Sequence, residues 1–201
     1  MKHQKLIMRL IFVAALLTMT AQTAWADDVN IEATGQTISD DTTWENCTVN
    51  ITGSGTVTFS KRISISGNVT LNLGTGITLN ANKGIAVNEG HSLTIDGTGT
   101  LNANITNIQK LDAAIGGDFG SNAGTIIING GTINASGING AAIGGGYNGN
   151  GGIITITGGN ITATAAGNSS AELAAVLRVM QAQYPSQEAL LMFHVVNMEP
   201  E

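Results

Sequence analysis

Short apolar segments alternate with polar residues through the middle of the chain. Thr or Asn separates the two apolar residues in Val49-x-Ile51, Leu71-x-Leu73, Leu93-x-Ile95 and Ile154-x-Ile156, and in Ile126-x-Ile128 the separating residue is Ile127. An alternation with a period of two, interrupted by glycine turns, predicts short strands that have one face inward. No helical periodicity occurs before Ser169. The pattern therefore predicts an all-β region.

These segments recur at fixed intervals. The block Ala113-Ala114-Ile115-Gly116-Gly117 returns further along the chain as Ala141-Ala142-Ile143-Gly144-Gly145. Upstream the interval is shorter and constant, in the series Val49/Leu71/Leu93, Ile51/Leu73/Ile95 and Val57/Leu79/Leu101. The interval from Ile95 to Ile128 is the longest, which predicts an inserted loop at about residues 104–110. A recurrence at intervals of this size is typical of a solenoid.

The repeats predict a single right-handed parallel β-helix of about five or six coils over residues 27–168. Equivalent aliphatic side chains would stack inside, which explains an aromatic content of only 4%. We expect Gly130-Gly131 and Gly158-Gly159 to turn corners, because glycine adopts positive φ without steric cost. Thr and Asn would lie outside, with stacked Asn amides forming ladders. An antiparallel β-sandwich or a hairpin array is the alternative.

The repeat block also carries a resemblance. The Ala-Ala-Ile-Gly-Gly-Gly sequence, followed by Gly-Gly-Ile-Ile-Thr-Ile-Thr-Gly-Gly-Asn-Ile-Thr-Ala-Thr, resembles secreted right-handed β-helix proteins of gut and cellulolytic bacteria. Some of these are described as carbohydrate-binding-domain proteins. The resemblance is strong over residues 111–165. Over residues 31–104 it is limited to the general style of the sequence. It implies an exported or cell-surface solenoid that contacts glycans, and it assigns no site residue.

The N-terminus has the layout of a cleaved secretory signal. Residues 1–26 contain three basic residues, a short apolar stretch and a terminal Ala24-Trp25-Ala26. The alternative is a membrane anchor, but the apolar stretch is short for a spanning helix. Cleavage removes three of the eight Lys and Arg residues and none of the fourteen acidic ones, leaving five against fourteen, a net charge of −9. We therefore expect no nucleic-acid partner, and membrane contact only through an uncleaved signal segment.

Residues 169–201 follow a different pattern. Ser169 and Glu172 form a Ser-x-x-Glu capping box, and apolar residues then repeat at helical spacing as far as Met180. Pro185 separates this segment from a second apolar one, residues 187–197. The pattern predicts a short helical tail that caps the last coil. A partner-binding element and an abnormal terminus are the alternatives.

Few residues of the coils offer reactive chemistry. Cys47 is the only cysteine, so the chain has no internal disulfide, and it reads as a buried strand residue. The basic doublet Lys61-Arg62 is expected on a solvated turn, and His91 on a solvated loop.

Two acidic residues are the candidates for catalysis or metal binding. A polysaccharide lyase or hydrolase needs paired carboxylates, or an acidic cluster with a basic residue. Asp112 and Asp118 flank one repeat block, but the next coil has glycine at both equivalent positions. We expect no catalysis. The same two aspartates are the candidate ligands for a calcium ion, because calcium prefers oxygen ligands in glycine-rich loops.

A glycan site is the third possibility, and it leads to the predicted function. Phe119 and Tyr147 occupy equivalent positions in consecutive coils, within glycine-rich loops. Aromatic faces beside amide groups suit a sugar, and the amides predicted to take part belong to Asn122, Asn148 and Asn150. The alternative is that each ring folds back over its own loop.

The sequence thus predicts an exported or surface-located, non-catalytic β-helix protein that binds carbohydrate. A structural or adhesive solenoid that engages a protein partner is the main alternative, and a polysaccharide-degrading enzyme is the minor one. The identity of the sugar, the mode of surface attachment and the oligomeric state are left open by the sequence.

Overall fold

The computed structural model describes residues 28–105 and 111–166, together with two further backbone segments, 176–179 and 191–193. The described strands follow one another in groups of three per coil. Coils 1 to 3 contain β1 (Val29–Ala33), β2 (Thr37–Ile38), β3 (Thr42–Glu45), β4 (Thr48–Gly53), β5 (Gly55–Phe59), β6 (Ile63–Ser66), β7 (Asn68–Leu73), β8 (Ile77–Ala81) and β9 (Ile85–Ala86). Coils 4 to 6 and the strands after them are β10 (Ser92–Gly97), β11 (Thr100–Asn104), β12 (Ile115–Gly116), β13 (Thr125–Ile128), β14 (Thr132–Gly137), β15 (Ile143–Gly144), β16 (Ile153–Ile156), β17 (Asn160–Ala165), β18 (Val176–Val179) and β19 (Leu191–Phe193).

Every third strand pairs with the next in a parallel sheet, which gives the solenoid three faces. Sheet A has the order β1-β4-β7-β10-β13-β16-β18, and sheet B has the order β2-β5-β8-β11-β14-β17-β19. Sheet C has the order β3-β6-β9-β12-β15. Neighbouring strands within these sheets pair in parallel, for example β4 with β7 and β14 with β17. This topology confirms the predicted parallel β-helix and excludes the sandwich and the hairpin array.

The core is a set of aliphatic columns inside the three sheets. Residues such as Leu71, Leu79 and Ile115 are fully buried, and no polar or charged residue of the described segments is buried. Each such aliphatic side chain contributes about 1.5–3 kcal/mol of burial. Aromatic side chains enter the core only in coils 1 and 2 of the described region, where Trp44 meets Phe59 edge to face with ring centroids 5.7 Å apart.

The predicted register is confirmed over most of the solenoid. Val49 pairs with Leu71, Leu79 with Leu101, and Ile133 with Ile161. These pairs reproduce both the shorter upstream interval and the longer downstream one. The longest interval of the sequence is confirmed by the pairing of Ile95 with Ile128. Residues 106–110 of the predicted inserted loop lie outside the described residues.

One predicted register is wrong. Between β7 and β10, Leu93 pairs with Val69 instead of Leu71, and Ile95 pairs with Leu71 instead of Leu73. The connection from Ala86 to Ser92 is two residues longer than its equivalent one coil earlier, and the turn after Gly97 is two residues shorter. A slip of two residues keeps the same side chains inward, so the alternation of apolar and polar residues does not reveal it.

Corners and ladders follow the prediction in part. Gly131 and Gly159 have positive φ values of 83° and 90°, whereas Gly130 and Gly158 do not have positive φ. The first glycine of each pair is needed for space instead, because a Cβ at Gly130 would lie 2.5 Å from a backbone oxygen of the preceding coil. The predicted asparagine ladders are present on sheets A and B.

The two ends of the chain are described only in part. The predicted signal segment, residues 1–26, lies outside the described residues. Of the predicted helical tail, the structure describes β18 and β19, which continue sheets A and B by parallel pairing with β16 and β17. The helical prediction is therefore wrong at these two strands, where backbone pairing with an open sheet edge takes the place of helix formation. The remainder of residues 169–201 lies outside the described residues.

None of the segments described by the structure forms a helix that is long and apolar enough to cross a membrane.

Candidate functional site

The candidate site consists of two stacked loops at the corner between sheets C and A. One loop follows β12 and the other follows β15, one coil later. Backbone hydrogen bonds join them from Gly117 N to Gly144 O, from Gly120 N to Tyr147 O and from Ala123 N to Asn150 O, each at 2.9 Å. The offset between the two coils thus stays nearly constant through the loops, because coil-to-coil pairing does not stop where the strands end. The two loops therefore occupy equivalent positions in consecutive coils, as predicted.

The rings of Phe119 and Tyr147 form a stacked pair at the outside of these loops. Their centroids are 6.2 Å apart and their planes differ by 20°, a distance within the range of offset aromatic stacking. Phe119 is 57% exposed, and Tyr147 is partly buried. Phe119 is therefore not folded over its own loop as a plug. We call these two side chains the ring pair.

The three predicted asparagines lie in the same loops but differ in whether their side chains are already hydrogen-bonded within the protein. The Asn122 amide donates to Glu89 Oε2 at 2.9 Å, and its Oδ1 accepts the Asn150 backbone N–H at 2.8 Å. Asn122 therefore holds the loops together. The side chains of Asn148 and Asn150 are exposed, and Asn148 has a positive φ of 63°. These two amides are the ones that remain available to a ligand.

Asp118 is held by an arginine from two coils away. Arg62 Nε donates to Asp118 Oδ1 at 2.8 Å, and the Asn88 amide donates to Oδ2 at 2.8 Å. The Asp118 backbone N–H in turn donates to Asn88 Oδ1 at 2.9 Å. Both carboxylate oxygens of Asp118 thus accept a hydrogen bond within the protein, directly before the loop that carries Phe119.

Arg62 also satisfies backbone carbonyls along the coils. Its Nη1 donates to the carbonyl oxygens of Lys83 and Ala113 at 2.9 Å, and its Nη2 donates to that of Gly116 at 3.2 Å. Only 16% of the Arg62 side chain is exposed. The expectation of a solvated turn is therefore wrong for Arg62, because its long side chain runs along the coils. It holds for Lys61, whose side chain is half exposed and whose ammonium forms an ion pair with Asp41 at 3.1 Å.

Sequence reasoning missed Arg62 because its contact joins residues that are far apart, in parts of the chain that do not repeat one another. The only sequence signal was its position next to a strand in a chain with few basic residues. The same side chain also lines an open cleft of about 220 Å³ formed by Ser60, Lys61, Arg62, Lys83, Ile105 and Asp112.

The predicted calcium ligands have different environments. Asp118 faces the Arg62 guanidinium, which stands where a cation would neutralise it. The Asp112 carboxylate accepts the Phe119 backbone N–H at 2.9 Å and is partly buried. Within the described residues no group of three or more His, Cys, Asp or Glu side chains is arranged to hold a metal ion. Both aspartates therefore stabilise the Phe119 loop, and a calcium ion there stays a prediction.

The side chains of Cys47 and His91 have structural surroundings of their own. Cys47 is buried at the bend between β3 and β4 rather than within a strand. Burial raises the pKa of its thiol, and the charge of Asp28 raises it further, whereas a hydrogen bond from the Glu45 backbone lowers it. His91 Nδ1 accepts the Gly67 backbone N–H at 2.9 Å, so its ring joins neighbouring coils.

Comparisons with protein-family models, with curated proteins and with solved structures found no match to this chain. The resemblance to secreted bacterial carbohydrate-binding proteins therefore has support only at the level of the parallel solenoid fold.

Proposed function

We propose that this chain is an exported, non-catalytic solenoid that binds carbohydrate at the ring pair. The observation that carries the proposal is the stacking of Phe119 and Tyr147 on the outside of two loops that are themselves held in register. Sugar rings have apolar faces that pack against aromatic rings, and their hydroxyl groups bind amides at the rim. The exposed amides of Asn148 and Asn150 supply such groups.

The rigidity of the site favours binding. Loop ordering normally opposes association, because each immobilised side chain costs about 0.5–1.5 kcal/mol. Here the two loops are fixed before any ligand arrives, by the backbone bonds between coils and by the Arg62–Asp118 ion pair. Asp112 fixes the backbone of Phe119 directly. A ligand would therefore meet a surface that already has its bound shape.

The test is retention on polysaccharides. The purified chain and a Phe119→Ala/Tyr147→Ala variant are applied to a glycan array and to immobilised neutral polysaccharides. We expect specific binding by the chain and a loss of at least about tenfold in affinity for the variant, equal to about 1.4 kcal/mol. Ile153→Ala is the matched control, because Ile153 is the other large apolar side chain that is strongly exposed among the described residues. Unchanged binding of the double variant to the oligosaccharides of the glycan array would refute the proposal.

A protein-binding role is the second candidate, and one observation favours it. Ile153 is 60% exposed on the outer face of sheet A. The outward-facing Ile127 lies on the neighbouring strand, which makes a small apolar patch. A blank glycan array together with cell adhesion that is lost in Ile153→Ala would support this role in place of carbohydrate binding.

A further inference from the structure

The outer face of sheet B is an uncharged, regular array. In the five strands β5, β8, β11, β14 and β17 the inward positions are apolar, and the outward positions are restricted to three small polar residue types. The outward residues of β5, β8, β11, β14 and β17 are Thr56, Thr58, Thr78, Asn80, Thr100, Asn102, Asn104, Thr132, Asn134, Ser136, Asn160, Thr162 and Thr164. We call this surface the threonine–asparagine face.

The array is periodic in two directions because the strand pairing aligns equivalent residues. Two columns cross the five strands in register, one of Thr56, Thr78, Thr100, Thr132 and Asn160, and one of Thr58, Asn80, Asn102, Asn134 and Thr162. Neighbouring strands of a sheet lie about 4.8 Å apart, and outward residues along one strand are separated by about 6.6 Å. The face is therefore a grid of side chains with a fixed repeat.

Hydrogen bonds within the grid fix the amide positions. The Asn102 amide donates to Asn80 Oδ1, and the Asn134 amide donates to Asn102 Oδ1, both at 2.9 Å. The Asn80 amide donates to Thr58 Oγ1 at 3.3 Å. Because an amide has two N–H donors and two acceptor lone pairs, each of these side chains keeps a donor and an acceptor for a ligand after the ladder is made.

The outward positions of these five strands carry no charged residue, whereas β1 and β10 of sheet A carry one each. The chain has a formal net charge of −6, and exposed strand positions commonly carry charged residues that keep proteins soluble and apart. On the outer face of sheet A, Glu32 in β1 and Asp96 in β10 are charged. A charged side chain on the threonine–asparagine face would lose its water against a neutral partner that lies flat on the sheet, at a desolvation cost. An uncharged face avoids that cost.

We propose that the threonine–asparagine face binds the flat surface of an insoluble, uncharged polysaccharide, as a second site distinct from the ring pair. This inference rests on the proposed carbohydrate-binding function for the class of ligand. A packed polysaccharide surface is periodic, carries neighbouring hydroxyl groups that accept and donate hydrogen bonds, and has no charge. The free donor and acceptor of each Asn match such hydroxyl pairs, and the methyl groups of Thr contact the apolar sugar faces between them.

The experiment compares two variants that differ only in the face they change. Thr78→Lys/Thr100→Lys places two charges on neighbouring strands of sheet B. Thr70→Lys/Thr94→Lys places the same charges on neighbouring outward positions of sheet A, in the same coils. Thr78→Val/Thr100→Val removes the hydroxyl groups and keeps the branched shape, so that a folded variant is available if lysine disturbs the sheet. Circular dichroism verifies the fold of each variant.

Binding to particles of crystalline cellulose and of chitin is measured by depletion from solution. We expect the sheet B lysine variant to lose at least about tenfold in affinity, about 1.4 kcal/mol, with a smaller loss for the valine variant. The sheet A variant should bind like the unchanged chain. Equal binding by the sheet A and sheet B variants would overturn the proposal, and so would adsorption of the chain to growing ice without adsorption to either polysaccharide.

Soluble oligosaccharides separate this inference from the proposed function. They present no extended surface, so the sheet B variants should bind them normally, and the ring-pair variant should not. Loss of particle binding in the sheet B variant alone, with no binding of soluble oligosaccharides by any variant, would sustain the second site and refute the ring pair. Loss of particle binding in the ring-pair variant alone would support the ring pair and refute the second site.

Discussion

Arg62 provides the sharpest test of how the site is held together. Arg62→Met keeps most of the side-chain volume and removes the guanidinium. Asp118 then loses its cationic partner, and the carbonyl groups of Lys83, Ala113 and Gly116 lose a donor. We expect the variant to be clearly less stable than the unchanged chain, with the damage concentrated around the Phe119 loop.

The magnitude follows from the exposure of the two partners. A hydrogen bond to a charged group contributes about 1.5–3 kcal/mol, and breaking a fully buried pair costs about 3–5 kcal/mol. Arg62 is 16% exposed but Asp118 is 41% exposed, so water screens part of the loss. We expect a cost of about 2–3 kcal/mol in the free energy of unfolding, which for a chain of this length lowers the Tm by about 4–12 °C.

The assay is a double-mutant cycle followed by thermal and urea unfolding. Arg62→Met, Asp118→Asn and the double variant are compared, and the urea m-value checks that the unfolding transition itself is unchanged. We expect a coupling energy of about 1.5–3 kcal/mol between the two positions. Lys61→Met is the matched control, because its ion pair with Asp41 is exposed and contributes at most about 1 kcal/mol.

Two results would refute this reasoning. Additive effects of Arg62→Met and Asp118→Asn would show that the guanidinium and the carboxylate do not stabilise each other. A fall in the Tm of the unchanged chain on addition of a calcium chelator, absent from an Asp112→Asn/Asp118→Asn variant, would show that these aspartates bind a metal ion, as one of the sequence predictions holds. With Arg62 already beside Asp118, we expect the chelator to leave the Tm unchanged.

Two further predictions concern the backbone and the buried thiol. Gly116→Ala should destabilise the chain by more than about 2 kcal/mol, because Gly116 has a φ of 139° and a Cβ there would overlap the Gly144 carbonyl oxygen. Gly90 has a φ of 87° and open space around it, so Gly90→Ala should cost only backbone strain of about 1–2 kcal/mol. Equal urea midpoints for the two variants would contradict this prediction. Because the folded pKa of Cys47 lies above its ordinary value of 9.0, the unfolded state loses its proton first as the pH rises. Stability should therefore be fully present below about pH 8 and fall at higher pH relative to Cys47→Ala. Parallel stability curves for the two proteins from neutral to strongly alkaline pH would show that the thiol plays no part.

The sequence predicted the solenoid well because its evidence is local and repeated. Alternation with a period of two identifies which residues face inward, and exact recurrence of a block such as that at Ile115 and Ile143 identifies which strands pair. The register between β7 and β10 escaped prediction because Leu93 and Ile95 are both inward-facing, so that Leu71 can pair with either without exposing an apolar residue.

Two other features could not be predicted from the sequence periodicity, for different reasons. The contact of Arg62 with Asp118 joins coils 2 and 4, and no repeated residue marks it. At residues 176–179 the apolar spacing also fits a helix, and parallel pairing with β16 decides in favour of a strand. In this segment tertiary pairing with an open sheet edge outweighs the local pattern.

The position of the four described aromatic side chains bears directly on function. Trp44 and Phe59 are inside, where they fill the first coils, whereas Phe119 and Tyr147 are stacked outside. A buried Phe contributes about 3–5 kcal/mol on truncation to alanine, but an exposed stacked pair contributes only about 0.5–1.5 kcal/mol. Alanine at both ring-pair positions should therefore leave the solenoid folded. A loss of polysaccharide retention in that variant would then report on binding itself, because the core does not depend on these rings for its stability.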